Sequence, residues 1–167
     1  MSADTPARAL AARLAARVTA PDATPADGAG SVVRTLGRTA LGSFVAGAGV
    51  GHLTFARAEF QAQVPDWVPL DKDVVVVASG VVEVLLGLAL LVTPRRHRPL
   101  VGWIGAAFFV AVFPGNVSQY VTGTDAFGLE SDAARAVRLL FQPVLVAWAL
   151  WSTGAWHAFR ASGDARG

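Results

Sequence analysis

The sequence contains no cysteine and few charged residues for its length. The missing thiols exclude disulfide bonds, thiolate metal sites and cysteine-bound iron–sulfur clusters. Only 16% of the 167 residues are charged, whereas soluble domains contain about 25%. The mean hydropathy is +0.47, and the apolar residues fall in four long blocks. This composition is typical of a membrane protein with a single domain.

Several common functional motifs are also missing. We find no phosphate loop, no dinucleotide-binding fingerprint and no nucleophile elbow. The net charge is only +2 and the basic residues form short clusters beside apolar segments, so we expect no nucleic-acid partner. There are three histidines, and two of them are predicted on the opposite side of the membrane from the third, so we expect no metal site. The sequence favours a protein without an intrinsic cofactor or catalytic activity of its own.

Four apolar segments predict an all-α fold, a bundle of four transmembrane helices. They cover residues 36–56, 74–93, 100–121 and 136–156, and at about 1.5 Å per residue each can cross a hydrocarbon core of about 30 Å. They form a membrane domain, 32–159, between a flexible N-terminal tail, 1–31, and a C-terminal tail, 160–167. Within the tail, 19–31 has the composition of a linker, and 6–18 is either unordered or a short interfacial helix. Pro114 predicts a kink or break in the third segment.

Basic and acidic residues alternate between the flanks of the four segments. Arginines precede the first segment and follow the second, whereas acidic residues predominate in the first and third loops. The positive-inside rule therefore places both termini in the cytoplasm, with the chain in a bacterial inner membrane. We expect the lipid bilayer as a partner. Faces rich in small residues allow a homo-oligomer without requiring one.

Glu83 lies near the middle of the most apolar segment, residues 74–93. A carboxylate at that depth costs at least a few kcal/mol unless it is protonated, paired or hydrated. Two hypotheses account for it. Either Glu83 fastens helices together through hydrogen bonds to Ser79, Asn116 or Gln142, or it carries protons or binds a ligand.

The predicted topology brings several polar residues to the outer half of the bundle. The candidates for ligand binding or proton carrying are Glu83, His52, Asn116, Arg138, Gln142 and Ser79. His52 either pairs with Glu83, binds a ligand or reaches the interface. Asn116 either satisfies backbone groups freed by Pro114 or lines a pocket. Arg138 either lies among the headgroups or turns inward as the counter-ion of Glu83.

Five short motifs follow one another between residues 34 and 156. They are Gly47-x-Gly49-x-x-His52-x-x-Phe55, Val64-Pro65-x-Trp67-x-Pro69, Ser79-Gly80-x-x-Glu83-x-x-x-Gly87-x-x-Leu90-Leu91, Val112-Phe113-Pro114-x-Asn116 and Arg138-Leu139-x-Phe141-Gln142. In this order they resemble the DoxX-like family of bacterial membrane proteins. Gly115 stands where many relatives have alanine, and Leu53 where many have phenylalanine. Neither difference removes a polar group.

The resemblance implies a four-helix membrane bundle that serves as an accessory or anchoring subunit of a membrane redox or stress-response assembly. Other membrane redox subunits would then be its partners. An alternative is a binding or catalytic module for a quinone or another small lipophilic molecule in an outward-facing pocket. A third hypothesis, proton-coupled transport, requires that Glu83 be reachable from both sides of the membrane.

Overall fold

The computed structural model describes the backbone of residues 25–164 and the side chains of residues 30–160. Within these residues the chain is all-helical and contains no strand. The chain divides into two units between Val33 and Arg34, and the second unit holds the helix bundle. The alternatives for residues 6–18 fall outside the described part of the chain.

Six α-helices follow one another over residues 25–164. They are α1 (Pro25–Leu53), α2 (Arg57–Gln61), α3 (Lys72–Val92), α4 (Arg98–Thr122), α5 (Asp132–Thr153) and α6 (Ala155–Asp164), with a 3-10 turn (Arg95–His97) before α4. Asp71 and Ser131 cap the starts of α3 and α5 by accepting hydrogen bonds from backbone N–H groups. Gly123 and Gly154 end α4 and α5 in the left-handed conformation that glycine adopts without strain.

The helices differ from the predicted elements at three places. The helix α1 begins at Pro25, so residues 25–31 are helical and not part of a flexible linker; proline suits the first turn of a helix because its φ is fixed and its missing N–H has no partner there. The predicted fourth segment is divided at Gly154, and α6 continues to Asp164, so residues 160–164 are helical too.

The predicted break at Pro114 is also absent, because α4 runs unbroken from Arg98 to Thr122. A proline removes one backbone hydrogen bond, here to the carbonyl of Val110. Transmembrane helices tolerate this loss where side chains of a neighbouring helix bond to the affected turn. Gln142 of α5 does so, because its Nε2 donates to the carbonyl of Phe109.

In the described part of the chain, three helices are long and apolar enough to cross a membrane. They span Lys72–Val92, Arg95–Thr122 and Asp132–Thr153. At most 33% of the most apolar stretch of each is buried within the protein, so the rest of that apolar surface faces outward. The helix α1 is not one of the three, and Arg38 and His52 interrupt its apolar stretch.

The helices α1, α3, α4 and α5 pack around one hydrophobic core. Its buried members are Leu41, Val45, Leu86, Leu90, Phe109 and Ala149. Because each of the four helices contributes at least one of these side chains, the part of α1 that follows Arg34 belongs to the bundle as fully as the three more apolar helices do.

Four glycines, which we call the glycine seam, let α1 and α3 approach closely. Gly42 faces Gly87 and Gly49 faces Gly80, so the two helices run antiparallel. A Cβ added at Gly87 would lie 2.6 Å from the carbonyl oxygen of Gly42, and one added at Gly49 would lie 2.6 Å from that of Gly80. Side chains larger than hydrogen therefore do not fit at Gly49, Gly80 and Gly87 without moving the helices apart.

Arg38 fixes the other end of the same helix pair. Its side chain is buried, and its Nη1 donates to the carbonyls of Leu90 and, at 3.0 Å, Leu91. These carbonyls belong to the last turn of α3, where no further helical N–H is available to them. Arg38 thus acts as a cap for α3.

Candidate functional site

A cavity of about 530 Å³ lies at the end of the bundle where α1 and α4 finish and α3 and α5 begin. Its wall includes all six polar residues that the sequence singled out: Glu83, His52, Asn116, Arg138, Gln142 and Ser79. The remainder of the wall is mainly apolar and comes from the same four helices and from the segments that connect them. Small-molecule pockets commonly enclose about 300–1,000 Å³, so a cavity of this size can hold an organic ligand.

His52 and Glu83 form a buried pair on the α1–α3 side of the cavity. The Nδ1 atom of His52 lies 2.8 Å from Oε2 of Glu83, and the two side chains are only 9% and 12% exposed. The same Nδ1 lies 2.9 Å from the carbonyl oxygen of Ala48. A carbonyl can only accept, so Nδ1 is the donor to Ala48, while Glu83 lies at ion-pair distance from the same atom without a hydrogen bond to it. The second ring nitrogen, Nε2, has no hydrogen-bond partner among the described residues.

The glycine seam makes this pair geometrically feasible. A Cβ added at Gly80 of α3 would lie 2.7 Å from Cβ of His52. The histidine therefore passes directly over a glycine to reach Glu83, which follows Gly80 by nearly one helical turn. The other predicted partners of Glu83 bond elsewhere: Ser79, for example, donates to the carbonyl of Val76 at 3.0 Å.

A second polar network lies on the α4–α5 side of the cavity. Arg138 donates from Nε to Oδ1 of Asn116 at 3.2 Å and from Nη2 to Oε1 of Gln63 at 3.0 Å. Asn116 donates to Oε1 of Gln142 at 2.9 Å, and Gln142 in turn donates to the carbonyl of Phe109. Asn116 therefore bonds to side chains that line the cavity, as in the second of the two hypotheses for it.

Arg138 turns inward, but not toward Glu83. Among the described residues no carboxylate lies within ion-pair distance of it. Arg135, one helical turn earlier, has two such partners, Asp125 at 2.8 Å and Asp132 at 2.9 Å. Arg138 is half-buried and has instead the ring of Phe127, whose centroid lies 5.2 Å from its Cζ. The predicted ion pair with Glu83 is therefore absent.

Aromatic rings connect the two polar sides. The ring of His52 stacks on Phe60 with centroids 3.3 Å apart, and Phe60 meets the edge of Phe127 at 4.6 Å. Phe127 has a φ of 56°, which is unusual for a residue with a side chain, and its N–H donates to the Glu59 carboxylate at 2.6 Å. The helix α2 and the connection between α4 and α5 thus complete the wall of the cavity.

Hydrogen bonds to Asp73 attach α2 to the start of α3. Arg57 donates from Nε to Oδ1 of Asp73 at 2.6 Å and contacts Oδ2 through Nη2, and Gln61 donates to Oδ1 at 2.6 Å. The hydrogen bond to the Asp73 carboxylate raises the pKa of the Arg57 guanidinium above its ordinary value. This anchor holds Phe60 in place against His52.

Gln63, which lines the cavity, and Gln119, which bonds to it, are not among the residues predicted from the sequence. Both are buried, and Nε2 of Gln63 donates to Oε1 of Gln119 at 3.0 Å. Gln119 interrupts an apolar segment as Asn116 does, so the same signal could have found it. Gln63 lies in a loop with many polar residues, where nothing in the sequence distinguishes it.

The side chains around the cavity suit an organic ligand. No cluster of three or more histidine, aspartate or glutamate side chains in the described part of the chain could hold a metal ion. The cavity instead offers hydrogen-bond donors and acceptors on two sides, with apolar surface between them. Such a surface can bind a molecule that has a polar group and an apolar body.

Neither a search of curated proteins nor a search of solved structures gives a match. The family model described as Domain of unknown function (DUF8561) matches residues 41–153. The match includes all six predicted site residues, the helices α3, α4 and α5, and the part of α1 from residue 41 onward. Because it covers more than half of the 167 residues, the chain belongs to the DUF8561 family.

Proposed function

We propose that this protein binds a small lipophilic molecule within a membrane, in the cavity at one end of its helix bundle. The observation that carries the proposal is the wall of this cavity, which brings the six polar candidates together with apolar side chains from four helices. Pockets with a mostly apolar lining and a few convergent polar groups are the usual sites of small-molecule binding.

Each part of the wall has a role in this proposal. Phe44, Val76 and Leu145 provide apolar contacts for rings or chains, while Arg138 and His52 provide hydrogen-bond donors. A quinone, with two carbonyl acceptors on an apolar ring, is one molecule of this class. Its reduction would require an electron donor from another protein, so binding is the function that we assign to this chain.

We further propose that α1 is a fourth membrane span, in a bacterial inner membrane with both termini in the cytoplasm. The support is the contribution of Leu41 and Val45 to the common core, beside three helices that are apolar enough to span. The arginine clusters at one end of the bundle agree with this orientation. A fluorescent reporter fused after Gly167 should be active and a periplasmic phosphatase fused there should be inactive; the reverse pattern would refute this topology.

Photochemical labelling tests the proposed binding function. We would place the full chain in lipid nanodiscs and label it with two probes, dodecanoate and dodecanol, that carry the same diazirine on the chain. Peptide mapping should locate a saturable label from at least one probe on the residues of the cavity wall. Competition with a decyl-substituted benzoquinone then asks whether quinones occupy the same site.

Two tryptophan variants separate labelling in the cavity from labelling through the lipid. Val112 lines the cavity, and Val112→Trp should block the label by filling it. Val144 is exposed on α5, and Val144→Trp should leave the label unchanged. Equal labelling of both variants, or no saturable label at all, would contradict the proposed function.

The other hypotheses based on the sequence stay predictions. Kinship with the DoxX-like family and a role as an accessory subunit would be supported by copurification of one redox subunit from native membranes at a fixed ratio. Proton-coupled transport would be supported by substrate uptake into proteoliposomes that is driven by a pH gradient and abolished in Glu83→Gln.

A further inference from the structure

Arg138 is a half-buried cation that no carboxylate neutralises. Its hydrogen bonds go to the side-chain oxygens of Asn116 and Gln63, which are neutral. Within the described residues it has no ion pair, and Glu83, the acidic residue in the cavity wall, is paired with His52. Burying a guanidinium without a counter-ion is unfavourable, so this arrangement needs a specific reason.

The comparison with Arg135 shows that the lack of a counter-ion is particular to one position. Arg135 lies on the same helix one turn earlier, and both of its carboxylate partners come from its own helix or the preceding loop. Acidic side chains are therefore available at this end of the bundle. Arg138 is directed instead into the cavity wall, over the face of Phe127.

Arg138 also retains free donors. A guanidinium has five N–H groups in a planar fork, and two atoms of Arg138, Nε and Nη2, donate to protein side chains. The fork suits an oxyanion with two oxygens, such as a carboxylate, which it binds more strongly than a neutral acceptor. The apolar wall beside it suits a hydrocarbon chain.

We propose that the ligand of the cavity is a single-chain amphipathic anion whose carboxylate binds Arg138. This inference rests on the proposed binding function and names its ligand class. The anion supplies the charge that the protein leaves uncompensated at Arg138. The Glu83 carboxylate on the other side of the cavity repels the carboxylate of the ligand, so the head of the ligand is directed to the α4–α5 side.

The two diazirine probes, dodecanoate and dodecanol, test this inference because they differ only in the head group. At neutral pH and with the same amount of nanodisc, dodecanoate should half-saturate the cavity label at a concentration about tenfold or more lower than dodecanol does, the size expected of a charge-assisted hydrogen bond. Arg138→Gln should abolish this preference. Arg138→Lys, which keeps the charge but not the fork, should retain part of it.

Arg135→Gln is the matched control, because it removes the paired arginine and should leave the preference unchanged. Thermal unfolding of each variant checks that it is folded. If Arg138→Gln does not fold, the head-group preference of Arg138→Lys, which retains the charge, tests the inference. Equal labelling of the cavity by the two probes, or a preference that survives in Arg138→Gln, overturns the anionic ligand while the binding function stands. Absence of a cavity label from both probes overturns both proposals.

Discussion

The close approach of α1 and α3 predicts a large effect from a very small substitution, Gly87→Ala. The added Cβ would lie 2.5 Å from the backbone N of Ala46, 2.6 Å from the carbonyl oxygen of Gly42 and 2.7 Å from Cβ of Ala46. Two of these atoms belong to the backbone of α1 and the third is attached directly to it. None can rotate away, so the two helices must separate.

The magnitude follows from two opposing effects. Overpacking of a core costs about 1–3 kcal/mol, and contacts with a helix backbone should give a value near the upper limit. Alanine recovers about 1 kcal/mol because its helix propensity exceeds that of glycine. We therefore expect Gly87→Ala to lower the free energy of unfolding by about 2 kcal/mol.

Gly47→Ala provides the control, because it makes the same chemical change on α1. Nothing lies within 4 Å of a Cβ added there, so the variant should gain about 0.5–1 kcal/mol of stability from helix propensity alone. Unfolding of the full chain in one detergent, followed by tryptophan fluorescence, measures both variants against the unmodified protein. If Gly87→Ala is as stable as Gly47→Ala, the glycine seam does not hold α1 against α3.

Two further predictions concern pairs of residues in contact. In a double-mutant cycle of His52→Ala and Glu83→Gln, the effects on unfolding free energy should be non-additive by at least about 1 kcal/mol; additive effects would show that the pair does not interact. A Cβ added at Gly102 would lie 2.0 Å from Oγ1 of Thr153, so Gly102→Ala should destabilise the protein by about 1–3 kcal/mol. Adding Thr153→Ala should recover part of that loss; a double variant less stable than Gly102→Ala would contradict the predicted clash.

Six residues of the candidate site could be predicted from the sequence because they are polar residues in or beside apolar segments. Glu83 and Asn116 stand out within segments that are otherwise apolar, and the cost of burying them is independent of the fold. The alternation of basic and acidic loops then places them at one end of the bundle. Both arguments need only position along the chain, and the structure puts all six candidates on one cavity wall.

The partners of these residues could not be predicted, because pairing depends on how each helix is rotated about its axis. Judged by predicted depth in the membrane alone, Arg138 and His52 are equally suitable partners for Glu83. The choice is made by the register in which Gly49 meets Gly80, since this brings His52 over α3. The helical start at Pro25 was obscured by a composition rich in alanine, glycine and proline, which is also common in linkers.

The His52–Glu83 pair and the bonds of Asn116 belong to two different helix pairs. This separation decides which contacts a ligand between the pairs would disturb. His52 and Glu83 contact each other within the α1–α3 pair, whereas Asn116 bonds to Arg138 and Gln142 within the α4–α5 pair. A ligand between the pairs leaves these contacts in place, and the hydrogen bonds that cross between the two sides are those of Arg138 with Gln63 and of Phe127 with Glu59. Aromatic contacts such as that of Phe60 with Phe127, individually worth about 0.5–1.5 kcal/mol, also join the two sides.

Stability and ligand preference should consequently be separable in this protein. A substitution in the glycine seam weakens the α1–α3 pair and lowers the stability of the bundle, but it leaves the donors of Arg138 in place. Arg138→Lys alters the head-group contact, yet it keeps a cation beside Asn116 and Gln63. If variants of the seam changed the preference between the carboxylate and the alcohol as strongly as variants of Arg138 do, the two helix pairs would have to act as one unit, and the ligand would not lie between them.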